Sequence, residues 1–215
     1  MKYRKELGFD VSEQNYPPNF HQMKSLGATF IILRSSFGKT FGQEDSKFQE
    51  YAYRAKDAGL KIGAYHYSYG ITKSDVLKEV DNCVNAIDKT GLEFELPIWF
   101  DMEDADGYKS DYGFHFSRPH ITELCETWLN NFPYHTGIYA SQYWFQSYIE
   151  WRRLNCSVWN ARFLSKSLVK RIAQTGNLEL LNGEDDIGGF MFQFTDSYPL
   201  NNHYFDANIM YVPVE

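Results

Sequence analysis

Two kinds of hydrophobic pattern alternate along the chain. Short apolar runs, rich in β-branched and aromatic residues and bounded by glycine or polar residues, are typical of buried strands. Between them, apolar residues recur every three or four positions, which is typical of amphipathic helices. The predicted strands are residues 7–12, 28–36, 60–69, 96–101, 136–140, 156–161, 189–194 and 204–209. The predicted helices are residues 20–26, 45–58, 74–90, 117–129, 141–151 and 167–174.

The order of these elements predicts the fold class. A strand followed by a helix, repeated along the chain, indicates an α/β fold with a parallel sheet, and about eight strands indicate a closed TIM-like (β/α)-barrel. No helix is predicted between the last two strands, so the last repeat is expected to be degenerate. The chain has no linker or low-complexity segment. We therefore expect residues 1–215 to form a single domain.

The sharpest change from apolar to acidic residues occurs in the segment LPIWFDMEDADG, residues 96–107. Side chains two positions apart on a strand point the same way, so Asp101 and Glu103 should share a face, with Cα atoms about 6.5–7 Å apart. Two such carboxyl groups raise each other's pKa, which suits general acid catalysis on an acetal or glycoside. A strand that ends in a solvated acidic turn would give the same pattern.

Two further acidic residues are placed near this pair by the barrel topology. Asp10 lies in the first predicted strand and Asp206 in the last, and these strands are neighbours in a closed barrel. Catalytic residues of such barrels lie at the C-terminal ends of the strands. Each aspartate alone has a structural explanation, as a cap or an Asx-turn residue. Together with Asp101 and Glu103, they predict four carboxylates at one mouth.

Composition narrows the class of function. Aromatic residues make up 18% of the chain, and Tyr and Trp suit a cleft that binds sugars, although many must fill the core. The net charge of −7 and the absence of a basic stripe argue against nucleic-acid binding. No apolar stretch approaches the length of a membrane span, and the charged N-terminus does not resemble a signal peptide. The 3 cysteines are expected to be small buried hydrophobes.

Seven short segments, in order along almost the whole chain, resemble motifs of one known family. The most specific are residues 58–67, similar to A-G-L-x-x-G-x-Y-H, and residues 101–103, similar to a D-x-E that closes the fourth strand. The others are residues 8–12 (G-x-D-V-S), 45–48 (D-x-x-F), 158–161 (W-x-A), 193–195 (Q-F-T) and 205–208 (V-D-x-N). These are motifs of the family-25 glycoside hydrolases, the N-acetylmuramidases or lysozymes. The chain departs from the family at Phe192, where Trp is common, and at residues 13–18, which lack its Q-G pair.

The resemblance implies hydrolysis of the β-1,4 bond between N-acetylmuramic acid and N-acetylglucosamine in peptidoglycan, with Glu103 as general acid. The second catalytic role stays open. Asp101 could orient the substrate's 2-acetamido group for substrate-assisted attack, or Asp10 or Asp206 could act as nucleophile or position a water. Candidate substrate contacts, for which barrel filling is the alternative role, are Tyr65, Tyr67, Tyr139, Trp159 and Gln193.

The resemblance also sets expectations about partners. No metal or cofactor is expected. The expected partner is the glycan strand of bacterial peptidoglycan, with no nucleic acid and no membrane insertion, and the protein is expected to be a monomer. Its expected site of action is the cell wall outside the cell, reached by phage-type release or by a chain trimmed of its export signal.

Two alternative classes of function remain open at this point. His66 and His203, with the aspartates, could indicate a metal-dependent hydrolase, but their spacing matches neither H-x-H nor H-E-x-x-H. His66 is instead expected to be a buried structural residue, since it alternates away from Tyr65 and Tyr67. The second alternative is a barrel that binds cell-wall glycan without cutting it, which the changes at Phe192 and residues 13–18 would permit.

Overall fold

The computed structural model describes residues 2–185 and 187–214. Within these residues, eight strands form a closed barrel in which each strand pairs with its neighbours in the sequence and β8 pairs with β1. The strands are β1 (Lys2–Val11), β2 (Ala28–Phe37), β3 (Lys61–Tyr67), β4 (Ile98–Asp101), β5 (Thr136–Ser141), β6 (Ser157–Ala161), β7 (Met191–Leu200) and β8 (His203–Val214). The predicted α/β barrel is therefore confirmed.

Helices cover the outside of the barrel between most successive strands. They are α1 (Phe20–Ser25), α2 (Phe48–Asp57), α3 (Lys73–Thr90), α4 (Tyr108–Asp111), α5 (Arg118–Asn131), α6 (Gln142–Ser147), α7 (Trp151–Leu154) and α8 (Lys166–Thr175), followed by a 3-10 turn at Leu178–Leu181. The helix predicted over 141–151 is two short helices, and the predicted loop after β4 contains α4. Among the described residues, no helix combines the length and apolar character that crossing a membrane requires.

The last strand corrects one part of the fold prediction. Strands β1 to β7 pair in parallel with their sequence neighbours, but β8 is antiparallel to both β7 and β1. Only Asn201 and Asn202 separate β7 from β8, and both have positive φ angles, 48° and 65°. A two-residue turn of this kind reverses the chain, whereas a parallel connection needs a crossover of a dozen residues or more.

The sheet separates two apolar layers. Side chains from alternate strand positions fill the barrel interior, among them Phe30, Trp99 and Trp159. The opposite faces of the strands pack against the helices. Gly8 is required by the inner packing, because a Cβ atom there would lie 2.3 Å from the ring of Phe30. Large side chains thus fill the barrel interior below the mouth and pack beneath the ends of β1 and β4.

Candidate active site

The four predicted carboxylates lie at the C-terminal mouth of the barrel. Asp101 is the last residue of β4, and Asp10 is the penultimate residue of β1. Asp206 lies directly opposite Asp10 in the antiparallel pairing of β8 with β1. Glu103 follows Asp101 by two residues, and its negative charge acts on both Asp101 and Asp206. The barrel therefore brings together the acidic residues of its first, fourth and last strands.

Asp10 is held by a chain of hydrogen bonds that crosses the mouth. Its Oδ2 accepts from Gln193 Nε2 at 2.9 Å and from Asn208 Nδ2 at 2.7 Å. The Tyr139 hydroxyl donates to Gln193 Oε1 at 2.7 Å, and Trp159 Nε1 donates to Asn208 Oδ1 at 2.9 Å. Because all five side chains are at most 8% exposed, this network fixes the Asp10 carboxylate from four other strands.

The carboxyl groups of Asp10 and Asp206 are hydrogen-bonded to each other. Burial and the negative charge of Asp10 raise the pKa of Asp206 to about 9. Burial also raises the pKa of Asp10, but the hydrogen bonds from Asn208, Gln193 and Asp206 oppose that rise. At neutral pH the proton therefore lies on Asp206, which donates it toward an anionic Asp10.

Asp101 differs from Asp10 in having little support from donors. It is 4% exposed, and its Oδ1 has no hydrogen-bond partner among the described residues. Burial, followed by the charge of Glu103, raises its pKa well above the usual value, while the charges of Lys109 and Arg34 lower it. A buried polar atom without a protein partner is costly, so this oxygen is available to a group that enters the mouth.

Glu103 is partly exposed and lines an open cleft of about 470 Å³, together with Tyr139, Tyr143, Arg162 and Phe163. Burial raises its pKa to about 7, and the charges of Asp106, Asp10 and Asp104 act in the same direction, whereas Lys109 lowers it. A carboxyl group with this pKa holds its proton for much of the time at neutral pH. It can therefore deliver a proton to a ligand in the cleft.

Two tyrosines at and just beyond the end of β3 contact the acidic loop that follows β4. The hydroxyls of Tyr67 and Tyr69 donate to the two oxygens of Asp106 at 3.3 and 2.7 Å. Burial alone would raise the pKa of Asp106, but the hydrogen bonds, led by that from Tyr69, lower it below its usual value. Asp106 thus stays anionic near Glu103. The ring of Tyr69 packs against that of Tyr108, with centroids 4.4 Å apart.

Comparison with known proteins identifies the family. The profile described as "Glycosyl hydrolases family 25" matches residues 9–203. The chain belongs to glycosyl hydrolase family 25. Among curated proteins, an autolytic lysozyme of Clostridium acetobutylicum is 29% identical over 104 residues, which is 48% of this chain. The match spans only 30% of that relative's length.

Solved structures of low sequence identity share the barrel. The CTP1L endolysin superposes with a TM-score of 0.71 at 19% identity, over 97% of this chain and 66% of its own. A muramidase from Trichobolus zukalii gives a TM-score of 0.68 at 20% identity, over 95% of this chain and 93% of its own. At these identities the superpositions establish the fold.

The side chains predicted to contact substrate in this family 25 chain fall into two groups. Trp159, Gln193 and Tyr139 are 2%, 3% and 8% exposed and are engaged in the Asp10 network. Tyr65 and Tyr67 are partly exposed at the end of β3, and the charge of Glu103 acts on Tyr67. Burial of the Trp159 indole leaves no face open for a sugar, so its geometry fits positioning of Asp10 through Asn208.

Sequence reasoning missed Lys109 and Asn208 as parts of the site. Asn208 stands in the segment that resembles V-D-x-N, which was the available signal for it. Lys109 lies in a polar loop whose composition is that of a solvated turn, although its side chain is only 1% exposed. No local pattern in the sequence distinguishes this buried lysine from an exposed one.

Residues 13–18, where the chain departs from its family, begin with a glutamate that is held by a hydrogen bond and an ion pair. Glu13 accepts from the main-chain N–H of Ser46 at 2.8 Å and pairs with Arg34 at 3.2 Å. Arg34 also pairs with Asp45 at 2.9 Å. These contacts tie the first loop to β2 and to the start of α2. The loop is therefore anchored at the edge of the mouth by ion pairs.

The two histidines considered as metal ligands lie apart. His66 is fully buried, with its Nδ1 2.8 Å from the Ser36 hydroxyl and its ring stacked on Trp128 at 5.5 Å, which confirms the predicted structural role. His203 stacks on Tyr16 with ring centroids 3.4 Å apart. Within residues 2–185 and 187–214, no group of three or more His, Cys, Asp or Glu side chains is arranged to hold a metal ion.

Proposed function

We propose that this chain is a muramidase that hydrolyses the β-1,4 bond between N-acetylmuramic acid and N-acetylglucosamine in peptidoglycan. The observation that supports this most directly is Glu103, a partly exposed carboxyl group with a pKa of about 7 that lines an open cleft beside Asp101. Membership of glycosyl hydrolase family 25 supports the reaction type. The names of the autolytic lysozyme, endolysin and muramidase relatives support the substrate.

Glu103 is the general acid in this proposal. Its proton passes to the glycosidic oxygen as the bond to the anomeric carbon breaks, so that the leaving sugar departs as a neutral alcohol. The raised pKa favours the protonated form that this step needs. The resulting carboxylate can then take a proton from the water that completes hydrolysis.

Asp101 is the better candidate than Asp10 for direct contact with the reacting sugar. Asp10 Oδ2 already accepts two amide hydrogen bonds, whereas Asp101 Oδ1 has no partner in the described residues. In substrate-assisted hydrolysis, the acetamido oxygen attacks the anomeric carbon while a carboxylate accepts the acetamido N–H. Protonation of Glu103 removes a repulsion that raises the pKa of Asp101, so the acid form of Glu103 favours the anionic Asp101.

The remaining residues hold the site and its substrate. We assign Gln193, Asn208 and Trp159 to the positioning of Asp10, with Asp206 as the proton-bearing partner of Asp10. Tyr65 and Tyr67 are the candidates for contact with sugar hydroxyls and faces. Tyr139 has both roles, because it donates to Gln193 and also lines the cleft.

The proposal extends to the chain as a whole. Residues 1–215 form one catalytic domain, since the barrel closes by pairing β1 with β8 near the two ends of the chain, with Lys2 opposite Val214. The partner is the glycan strand of bacterial peptidoglycan, on which the protein acts as a monomer at the cell wall. The mechanism requires no metal, nucleic acid or membrane insertion.

Purified peptidoglycan provides the test. The protein should lower the turbidity of wall suspensions, and borohydride reduction of the digest should convert muramic acid, not glucosamine, at the new reducing ends. Prior dialysis against a chelator should leave the rate unchanged, because Asp10 is already occupied by amide donors and the histidines lie apart. Sedimentation with walls without new reducing ends would instead indicate a glycan-binding barrel. Loss of activity on chelation, restored by a divalent ion, would indicate a metal-dependent hydrolase.

A further inference from the structure

A buried lysine lies behind the acidic segment at the end of β4. Lys109 belongs to α4 and is 1% exposed. Its Nζ donates to the main-chain carbonyl of Glu103 at 2.6 Å and to that of Ser68. Ser68 directly follows β3, and Glu103 lies two residues beyond β4. The ammonium group therefore links the ends of two neighbouring strands at the mouth.

The loop between β4 and α5 is folded so that this side chain points inward. Asp104 Oδ1 accepts from the main-chain N–H of Lys109 at 2.7 Å, and its Oδ2 accepts from the N–H of Ser110 at 3.1 Å. Gly107, with a φ of 75°, permits the turn that starts α4. These contacts fix the turn from which the Lys109 side chain points inward.

The positive charge of Lys109 is balanced on two sides. Burying an unpaired ammonium costs several kcal/mol, so a buried lysine needs nearby carboxylates. Glu79 of α3, itself 0% exposed, acts on Lys109 from the helical side, and Asp101, Asp104 and Glu103 act from the mouth. Burial lowers the pKa of Lys109, and the charges of these four carboxylates oppose that fall and favour the cation.

We propose that Lys109 is a positioning residue, which fixes the main chain of Glu103 by a hydrogen bond and balances the acidic mouth with its buried charge. This inference rests on the proposed role of Glu103 as the acid. Lys109 does not touch substrate and acts through Glu103 and Asp101.

The charges at the mouth predict the direction in which loss of Lys109 shifts the pKa of Glu103. The Lys109 charge lowers the pKa of Glu103, against burial and the charges of Asp106, Asp10 and Asp104. Removing it should therefore raise the pKa of Glu103 further above 7. The groups that also act on or are acted on by Glu103 are Asp101 of β4, Asp206 of β8, Tyr67 of β3 and Tyr139 of β5.

The test compares Lys109→Met with Lys109→Arg in the full chain. For Lys109→Met we expect a loss in kcat of about tenfold to a hundredfold, because the main chain of Glu103 is released. The alkaline limb of kcat/KM should move to higher pH by at least about half a unit. Lys109→Arg keeps the positive charge, so its alkaline limb of kcat/KM should coincide with the parent's. It should also retain part of the parent's kcat. Lys170→Met, at an exposed lysine of α8, is the matched control and should leave both unchanged. If the alkaline limb of kcat/KM for Lys109→Met coincides with the parent's, the inference is wrong.

A measurement on the unmodified lysine covers the case in which Lys109→Met does not fold. With 13C-labelled lysine, the Cε resonance of Lys109 should show an inflection at the pKa of Glu103, and Glu103→Gln should remove it. No inflection in the parent would sink the inference. If the inflection is present but the parent does not cut walls, the proposed function fails and the charge coupling stands. If walls are cut without an inflection, the function stands and the inference fails.

Discussion

Asp10 and Asp206 face each other across the antiparallel pairing of β1 with β8, and their carboxyl groups share a hydrogen bond. Two carboxylates that contact each other in a largely buried site cannot both be ionised at low cost in free energy. The amide groups of Gln193 and Asn208 point at Asp10 and not at Asp206, so the asymmetry of donors decides which of the two holds the proton. The antiparallel direction of β8 is what places them side by side.

This relationship predicts how stability depends on pH. Asp206 has a pKa of about 9 in the folded protein against a value of 3.8 for a free aspartate, so the folded state holds a proton that the unfolded state has lost. The stability from this proton is present at low pH and falls as pH rises from about 4 to about 9. Asp206→Asn carries an amide that does not titrate. Its unfolding free energy relative to the parent should therefore rise with pH in this window, by at most about 1.4 kcal/mol per unit.

Urea denaturation of both proteins at pH 5, 6.5 and 8 measures this difference. Asp81→Asn, at an exposed position of α3, serves as the control and should follow the parent at all three pH values. A constant difference between Asp206→Asn and the parent would mean that Asp206 is not the proton carrier.

The hydrogen-bond chain to Asp10 predicts the effect of removing one hydroxyl. Tyr139→Phe removes the donor to Gln193 Oε1 and leaves that buried oxygen unpaired. We expect a loss in unfolding free energy of about 1–3 kcal/mol, together with lower kcat, because the amide that holds Asp10 can then rotate. Tyr204→Phe, at a residue that is 66% exposed, should change neither quantity. Parent-like stability and kcat in Tyr139→Phe would show that the network does not hold Asp10.

Much of this architecture could be predicted from periodicity. The strands ending near Val11 and Asp101 are marked by apolar runs that stop at polar residues, and closure of the barrel then makes the first and last strands neighbours. The direction of β8 could not be predicted so simply. It depends on Asn201 and Asn202 adopting left-handed conformations, which a search for strand–helix repeats does not consider.

The features that are harder to predict depend on burial by residues that are distant in the sequence. Lys109 is buried because Asp104 turns the loop and because Glu79, thirty residues earlier, supplies a carboxylate. Trp159 was a candidate for sugar contact, with barrel filling as the alternative, and its indole points into the barrel, where Asn208 accepts its N–H. Both outcomes follow from side chains distant in sequence, which no local pattern encodes.

The charge around Glu103 predicts the pH range of activity. The acid must hold its proton, so kcat/KM, which reports the free enzyme, should fall about tenfold per unit as pH rises above about 7. Asp106 is the strongest of the charges that raise this pKa. Asp106→Asn should therefore move the alkaline limb to lower pH. Asp111→Asn, exposed on α4, should leave it in place. Movement of the limb to higher pH in Asp106→Asn would contradict this assignment.

The proposed role of Asp101 can be tested by measuring kcat in a variant. Asp101→Asn removes the carboxylate that we assign to the acetamido group, so kcat should fall. If kcat in this variant equals the parent's, the second catalytic role belongs to Asp10 or Asp206 instead.

The central claim is that Glu103 delivers the proton, and Glu103→Gln tests it most directly. Glutamine keeps the shape of the side chain and removes the transferable proton. We expect kcat on peptidoglycan to fall by about 10²–10⁴, with folding and glycan binding close to the parent's. Glu93→Gln, exposed ahead of β4 at the opposite end of the barrel, should keep the parent rate. If Glu103→Gln releases muramic acid reducing ends at the parent rate, Glu103 is not the acid.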